Sequence, residues 1–230
     1  MGAEGKSSSP DKRRPGSRAG LDLNGVVEAA RSLDVNTLTI QAVATRLGVD
    51  RKAVRHHATD RETLLRLMAA DAFSETPIGE SIPADCTWQE ACRIFADDFT
   101  DSVINIDTLI KHLELDISLL TSFGKPTESL VTKLTDAGFD DETALRSLVL
   151  LTNICMAFAR DAVVVAESGV RPRRELAQLG IDRYQGEFPN FARVVAREID
   201  TYDRKQLELS VDIFVRGMES LLLERVRLEP

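Results

Sequence analysis

Two features of the sequence predict an all-α chain. Apolar residues recur at helical spacing in one segment after another. Aromatic residues make up only 5% of the 230 positions, and no stretch of six alternates apolar with polar in the manner of a half-buried strand. The hydrophobic share of 43% is enough for one or two packed domains.

Each element can be justified in order. The first twenty residues, "MGAEGKSSSPDKRRPGSRAG", are polar, basic and rich in Gly, Ser and Pro, so 1–20 reads as a disordered arm without the apolar core of a signal peptide. "LNGVVEAARSL" (23–33) places Leu23, Val26, Val27, Ala30 and Leu33 on one helical face. "DRETLLRLMAADAF" (60–73) opens with Asp60 as N-cap, and "TPIGESIPAD" (76–85) breaks the pattern with two prolines and a glycine. "TWQEACRIFADDFTDSVINI" (87–106) begins with a Thr87/Glu90 capping box and carries the stripe Trp88, Cys92, Phe95, Phe99, Val103 and Ile106. A helix over 107–123 is expected to stop at Gly124 and Pro126, followed by a shorter one over 127–139. Residues 140–168 form the longest helical run, apolar around most of its circumference, which predicts burial on more than one side. Its most apolar part, 147–159, is too short to span a bilayer, which needs roughly 20 helical residues. Residues 169–190 read as loop with at most one short helix, and 204–227 as a final amphipathic helix. The total is nine or ten helices.

Charge is unevenly spread. The chain carries a net −8, yet residues 1–66 hold 12 Lys/Arg against 8 Asp/Glu. A basic first quarter on an acidic body is the polarity expected if only the first part meets nucleic acid. Within it, "AVATRLGVDRKAVRHH" (42–57) gathers Arg46, Arg51, Lys52, Arg55, His56 and His57 around one glycine. The spacing fits a helix-turn-helix. Ala44 is small where two helices cross, Gly48 accepts a positive φ, Val43, Leu47, Val49 and Val54 brace the pair, and Asp50 caps the second helix. Arg51, Lys52, Arg55 and His56 then face outward, as on a recognition helix in a major groove.

"LTIQAVATRLGVDRKAVRHHATDRETLL" (38–65) resembles the DNA-binding motif of the tetracycline-repressor (TetR) family of bacterial regulators, and the likeness extends more loosely through "TDAGFDDETALRSL" and "LELSVDIFVRGMESLL". The resemblance implies that Thr39 and Arg61 bind phosphates. It also implies a DNA-binding domain over 21–66 and a ligand-binding and dimerisation domain over 67–230, paired through 140–168 and 204–227. Two departures are visible: Arg55 stands where the family usually has tyrosine, and the first helix is shortened before Leu38, with "SLDVNTLT" lacking the usual glycine.

The expected function is a cytoplasmic homodimeric regulator, a repressor, on palindromic operator DNA, released by a small apolar or aromatic inducer, with no membrane partner. Phe95, Phe99, His112, Asn153, Met156 and Arg160 are the candidate ligand-lining residues. No metal or other cofactor is implied, and the sparse set Cys86, Cys92 and Cys155 suggests a reducing compartment. "HHATD" (56–60) is the nearest approach to an enzyme motif, but adjacent helical histidines diverge by about 100°. The alternative is a protein of this fold that has lost operator binding and acts as a small-molecule binder or unusual enzyme.

Overall fold

Side-chain caps set the start of most helices in the computed structural model, which describes residues 21–75, 82–114 and 120–228. The expected arm over 1–20 and most of the 76–85 break lie outside the described residues. Ten α-helices and one 3-10 helix are present among those described, with no strand. The chain divides into two compact units between Leu64 and Leu65.

The first unit holds α1 (Leu23–Arg31), α2 (Ile40–Leu47), α3 (Arg51–Arg55) and the start of α4 (Arg61–Ser74). The Asp22 carboxylate accepts the Gly25 N–H at 2.8 Å and so caps α1. This helix buries Val26, Val27, Ala29 and Ala30. Leu23, expected on the same stripe, is 40% exposed. Helical side chains lean toward the N-terminus, so the first residue covers surface beyond the helix end. In the α1–α2 turn Asp34 replaces the missing glycine: its carboxylate accepts the Asn36 N–H at 2.9 Å and its carbonyl the Thr37 N–H at 3.1 Å. Asp60 caps α4 through the Thr63 N–H at 2.7 Å.

The second unit is built around α5 (Trp88–Asn105), whose capping box is complete and whose whole expected stripe is buried. It packs against α6 (Leu120–Asp136), α7 (Asp141–Ser168) and α10 (Arg204–Leu228). Arg93 reaches Asp212 at 2.9 Å, and Arg204 reaches Asp101 at 2.7 Å and Asp97 at 3.1 Å, so α10 is tied to α5 at several points.

Three expectations are corrected. The helix expected over 107–123 is a short 3-10 helix, Asp107–His112, and α6 then runs through Gly124 and Pro126. An interior proline costs roughly 3 kcal/mol, but Pro126 is itself buried and α6 buries Leu130 and Leu134 against α5 and α7, so packing outweighs propensity. Residues 169–190 hold the whole of α8 (Pro172–Arg183), the one helix allowed there, and the first two residues of α9 (Pro189–Val195), which is unexpected; each opens on a proline where the missing N–H has no intrahelical partner to lose. Finally, α7 is open on one side: Leu145, Val149, Leu150 and Val164 are exposed. At 28 residues, with mean hydropathy 1.8 over its most apolar window, α7 is long and apolar enough to cross a bilayer. Its opposite side packs instead on α5, α6 and α10.

Candidate nucleic-acid interface

The α2–α3 unit is assembled by local hydrogen bonds. Thr39 caps α2, its hydroxyl oxygen accepting the Ala42 N–H at 3.1 Å. Gly48 ends α2 at φ 66°, a left-handed conformation that a residue with a Cβ enters only at a cost. The Val49 N–H then returns to the Ala44 carbonyl at 3.0 Å, and Asp50 caps α3 through the Lys52 N–H at 2.7 Å. Val43, Ala44 and Val54 are fully buried between the helices.

With Val54 turned inward, Arg51, Lys52, Arg55 and His56 are all exposed on the other side of α3. The helix is only five residues long, and His56 forms its C-cap. Four cationic or protonatable side chains thus stand on a braced turn and a half, with no described carboxylate paired to them. His57 is diverted from that face: its Nε2 lies 2.9 Å from the Leu21 carbonyl. Arg61 is partly committed. Its Nε donates to the Leu38 carbonyl at 3.2 Å and its Nη2 to the Val35 carbonyl at 2.8 Å, which fixes the guanidinium beside the start of α2 and leaves the Nη1 donors for another acceptor.

In the second unit the six residues considered for ligand lining do not converge. Phe95 and Phe99 are fully buried with rings stacked at 5.7 Å, and Phe99 also meets Phe73 edge-on at 5.8 Å and Phe123 at 5.9 Å. Met156 is buried on α7 and His112 is half-buried at the end of the 3-10 helix. Asn153 and Arg160 instead face solvent on α7 beside Ala157. They are not buried polar groups in need of a partner within the chain: periodicity set them on one face, but the apolar circumference of α7 concealed which face turns inward. Sequence reasoning also missed a cavity of about 740 Å³ bounded by α7, α8, α9 and α10. The paired helix-initiating prolines 172 and 189 were the signal that its outer wall is helical.

A capped helix, a left-handed glycine and a short basic helix, followed by an all-helical body, define the class of helix-turn-helix proteins with a C-terminal helical domain. Within that class the chain has the tetracycline-repressor fold. It is similar to apo ActR from Streptomyces coelicolor, with 19% identity and a TM-score of 0.67 over 91% of this chain and 100% of that one. A possible TetR family transcriptional regulator from Streptomyces coelicolor A3(2) matches with 18% identity and a TM-score of 0.66, over 87% of this chain and 100% of that one. ActR in complex with actinorhodin matches with 19% identity and a TM-score of 0.61, over 88% of this chain and 97% of that one. No family model and no curated protein sequence matches the chain.

Proposed function

We propose that the chain is a ligand-responsive transcriptional regulator: a cytoplasmic homodimer that binds palindromic operator DNA, represses, and lets go when a small apolar or aromatic molecule binds its body. The observation that carries this reading is the exposed set Arg51, Lys52, Arg55 and His56 on a short helix braced by Gly48 and capped by Asp50. Such a helix offers charge to phosphates and donors to base edges. Thr39 and Arg61 suit phosphate. The Thr39 oxygen accepts the Ala42 N–H, so its hydroxyl proton is available to donate, and Arg61 retains its Nη1 donors.

One short helix reads only a few base pairs, so specificity calls for two in symmetric half-sites. The exposed Leu145, Val149 and Leu150 of α7 and Leu209, Ile213 and Leu221 of α10 supply an apolar face for a second copy. In this reading 21–66 binds DNA and 67–230 senses and dimerises. The actinorhodin complex of ActR supports a sensing body in this fold, and no catalytic step is assigned.

Fluorescence anisotropy on DNA from upstream of the gene, with light scattering, tests the proposal. A dimer should bind a palindrome in preference to random sequence. Lys52→Ala or Arg55→Ala should cost about 1–3 kcal/mol on that site if either reads a base, and Arg61→Ala should lower the salt slope by about one. Equal binding to cognate and random DNA overturns it in favour of a small-molecule binder without operator specificity, a reading that the five-residue length of α3 favours.

A further inference from the structure

We propose that residues 12–18 are a second DNA-contacting element, which enters the minor groove beside the major groove that α3 reads and favours A·T base pairs there. The inference goes beyond the helix-turn-helix and rests on the DNA-binding reading of α3 for its partner.

The structure fixes where this segment starts. Residues 1–20 lie outside the described residues, and Leu21 is the first described position. The Leu21 carbonyl lies 2.9 Å from Nε2 of His57, two residues past the end of α3. A carbonyl can only accept, so the imidazole donates. The His57 ring in turn meets the His56 ring edge-on at 5.4 Å. His56 belongs to the exposed basic face, with Arg51, Lys52 and Arg55. One residue after Leu21, Asp22 caps α1 through the Gly25 N–H at 2.8 Å. The chain before Leu21 therefore meets the fold one ring contact away from the basic face of α3.

The composition of that segment suits a narrow anionic groove. Over 12–20 the sequence is "KRRPGSRAG": four cations, no carboxylate, and no uncharged residue larger than proline. A B-DNA minor groove is about 6 Å wide, and A·T runs narrow it further and deepen its negative potential, which draws arginine in and keeps bulk out. The reach fits as well. A chain spans at most about 3.6 Å per residue, so Arg18 lies within about 11 Å of Leu21 and Arg13 within about 29 Å. The neighbouring minor groove is about half a helical turn away, roughly 17 Å along the axis. Arg18 thus reaches the intervening phosphates, and Arg13 and Arg14 reach the groove beyond them. The five residues of α3 read few base pairs, and these contacts add sequence preference outside its own site. An acidic protein surface would attract the same charge, but the segment joins the fold beside the face that DNA occupies in the proposed function, so DNA is the partner it meets first.

The test measures fluorescence anisotropy for the full chain and for a quadruple variant, Lys12→Ala, Arg13→Ala, Arg14→Ala and Arg18→Ala. The duplexes carry a palindrome from upstream of the gene, with the base pairs on both sides of each half-site set to A·T, G·C or inosine·C. Inosine·C presents the minor-groove edge of A·T and the major-groove edge of G·C. The wild-type chain should bind A·T and inosine·C flanks alike, and G·C flanks about fivefold or more weakly. The quadruple variant should lose that preference, bind about tenfold more weakly and show a salt slope lower by about two or more. His57→Ala should weaken the wild type about threefold yet leave the quadruple variant unchanged, because its ring then anchors a segment without cations. Circular dichroism should be the same for all variants.

A flank preference that survives in the quadruple variant overturns the proposal, as do inosine·C flanks bound like G·C. Equal affinity and salt slope in the two chains overturn it, and so does tighter binding by the quadruple variant, which would make the segment a competitor of DNA. An equal loss from His57→Ala in both backgrounds also overturns it, since the ring would then act only within the fold. A wild-type chain that prefers the palindrome but shows none of these differences sinks the minor-groove element and leaves the regulator reading standing. One that ignores the palindrome yet keeps the flank preference on random sequence does the reverse, and no binding to any duplex ends both.

Discussion

Helix α5 and the α8–α9 arm are both rich in large apolar side chains, yet they treat them in opposite ways. Along α5, Trp88, Cys92, Phe95, Phe99 and Val103 are all buried. Along the arm none is buried: Leu176 is 71% exposed and Leu179 67%, with Phe188 and Phe191 also in solvent. The difference lies in the neighbours. α5 touches α6, α7 and α10, whereas α8 packs mainly on α9. Apolar content creates a demand for burial, and only topology decides whether the demand is met.

The comparison breaks most directly through a pair of deletions. Phe99→Ala should lower unfolding stability by about 3–5 kcal/mol in urea titration, because three aromatic neighbours lose their packing partner. Leu179→Ser should change it by less than about 0.5 kcal/mol. A large cost for the second variant would mean that the arm is covered in solution.

Two glycines sharpen the contrast at the level of backbone. Gly48→Val should cost about 1–2 kcal/mol, since φ at this position is 66°. Gly180→Ala lies in helical backbone of α8 with open space where its Cβ would go, and should stabilise by up to about 1 kcal/mol. Differential scanning calorimetry should show opposite signs.

The start of α5 gives a smaller, pH-dependent effect. Thr87→Ala removes the N-cap and should cost about 1 kcal/mol. The Glu90 carboxylate accepts from the Thr87 amide and hydroxyl, which holds its pKa below the usual carboxylate value. The native pKa is the depressed one, so this contribution is present above the unfolded-state pKa and is lost as pH falls through the native value. The stability gap between wild type and Glu90→Gln should therefore close on acidification, and a gap that widened would reverse the assignment.

The smallest effect is a reactivity count. Burial pushes the Cys92 thiol up to about 12 and Cys155 up to about 11, whereas Cys86 is only half-buried. A thiol reagent at about pH 8 should modify one cysteine quickly in the native chain and all three after denaturation.

The first unit was legible because its determinants are local. Thr39, Asp50 and Asp60 each complete a cap within three residues, and Gly48 turns the chain alone. In the body the decisive partners are far apart in sequence, such as Arg93 with Asp212 and Arg204 with Asp97. That is why α6 could run through Pro126 against its propensity, and why Asn153 and Arg160 fell on the outer side of α7. The boundary drawn after residue 66 and the break within α4 after Leu64 differ by two positions, because a helix shared by two units carries no punctuation at the junction. The one short helix allowed over 169–190 is α8, whereas α9 escaped notice because seven residues are too few to show a helical period; the start signal of each lies in its proline.

An arm that buries nothing is also the easiest place to cut. Arg183, Arg193 and Arg197 are exposed on or beside α8 and α9, and none of the three has a described salt bridge. A protease needs several residues of extended chain, and helices without buried side chains open at little cost to supply them. Brief trypsin treatment should therefore nick the chain between α7 and α10. The two fragments should stay together, because α7 and α10 remain packed on each other and on α5.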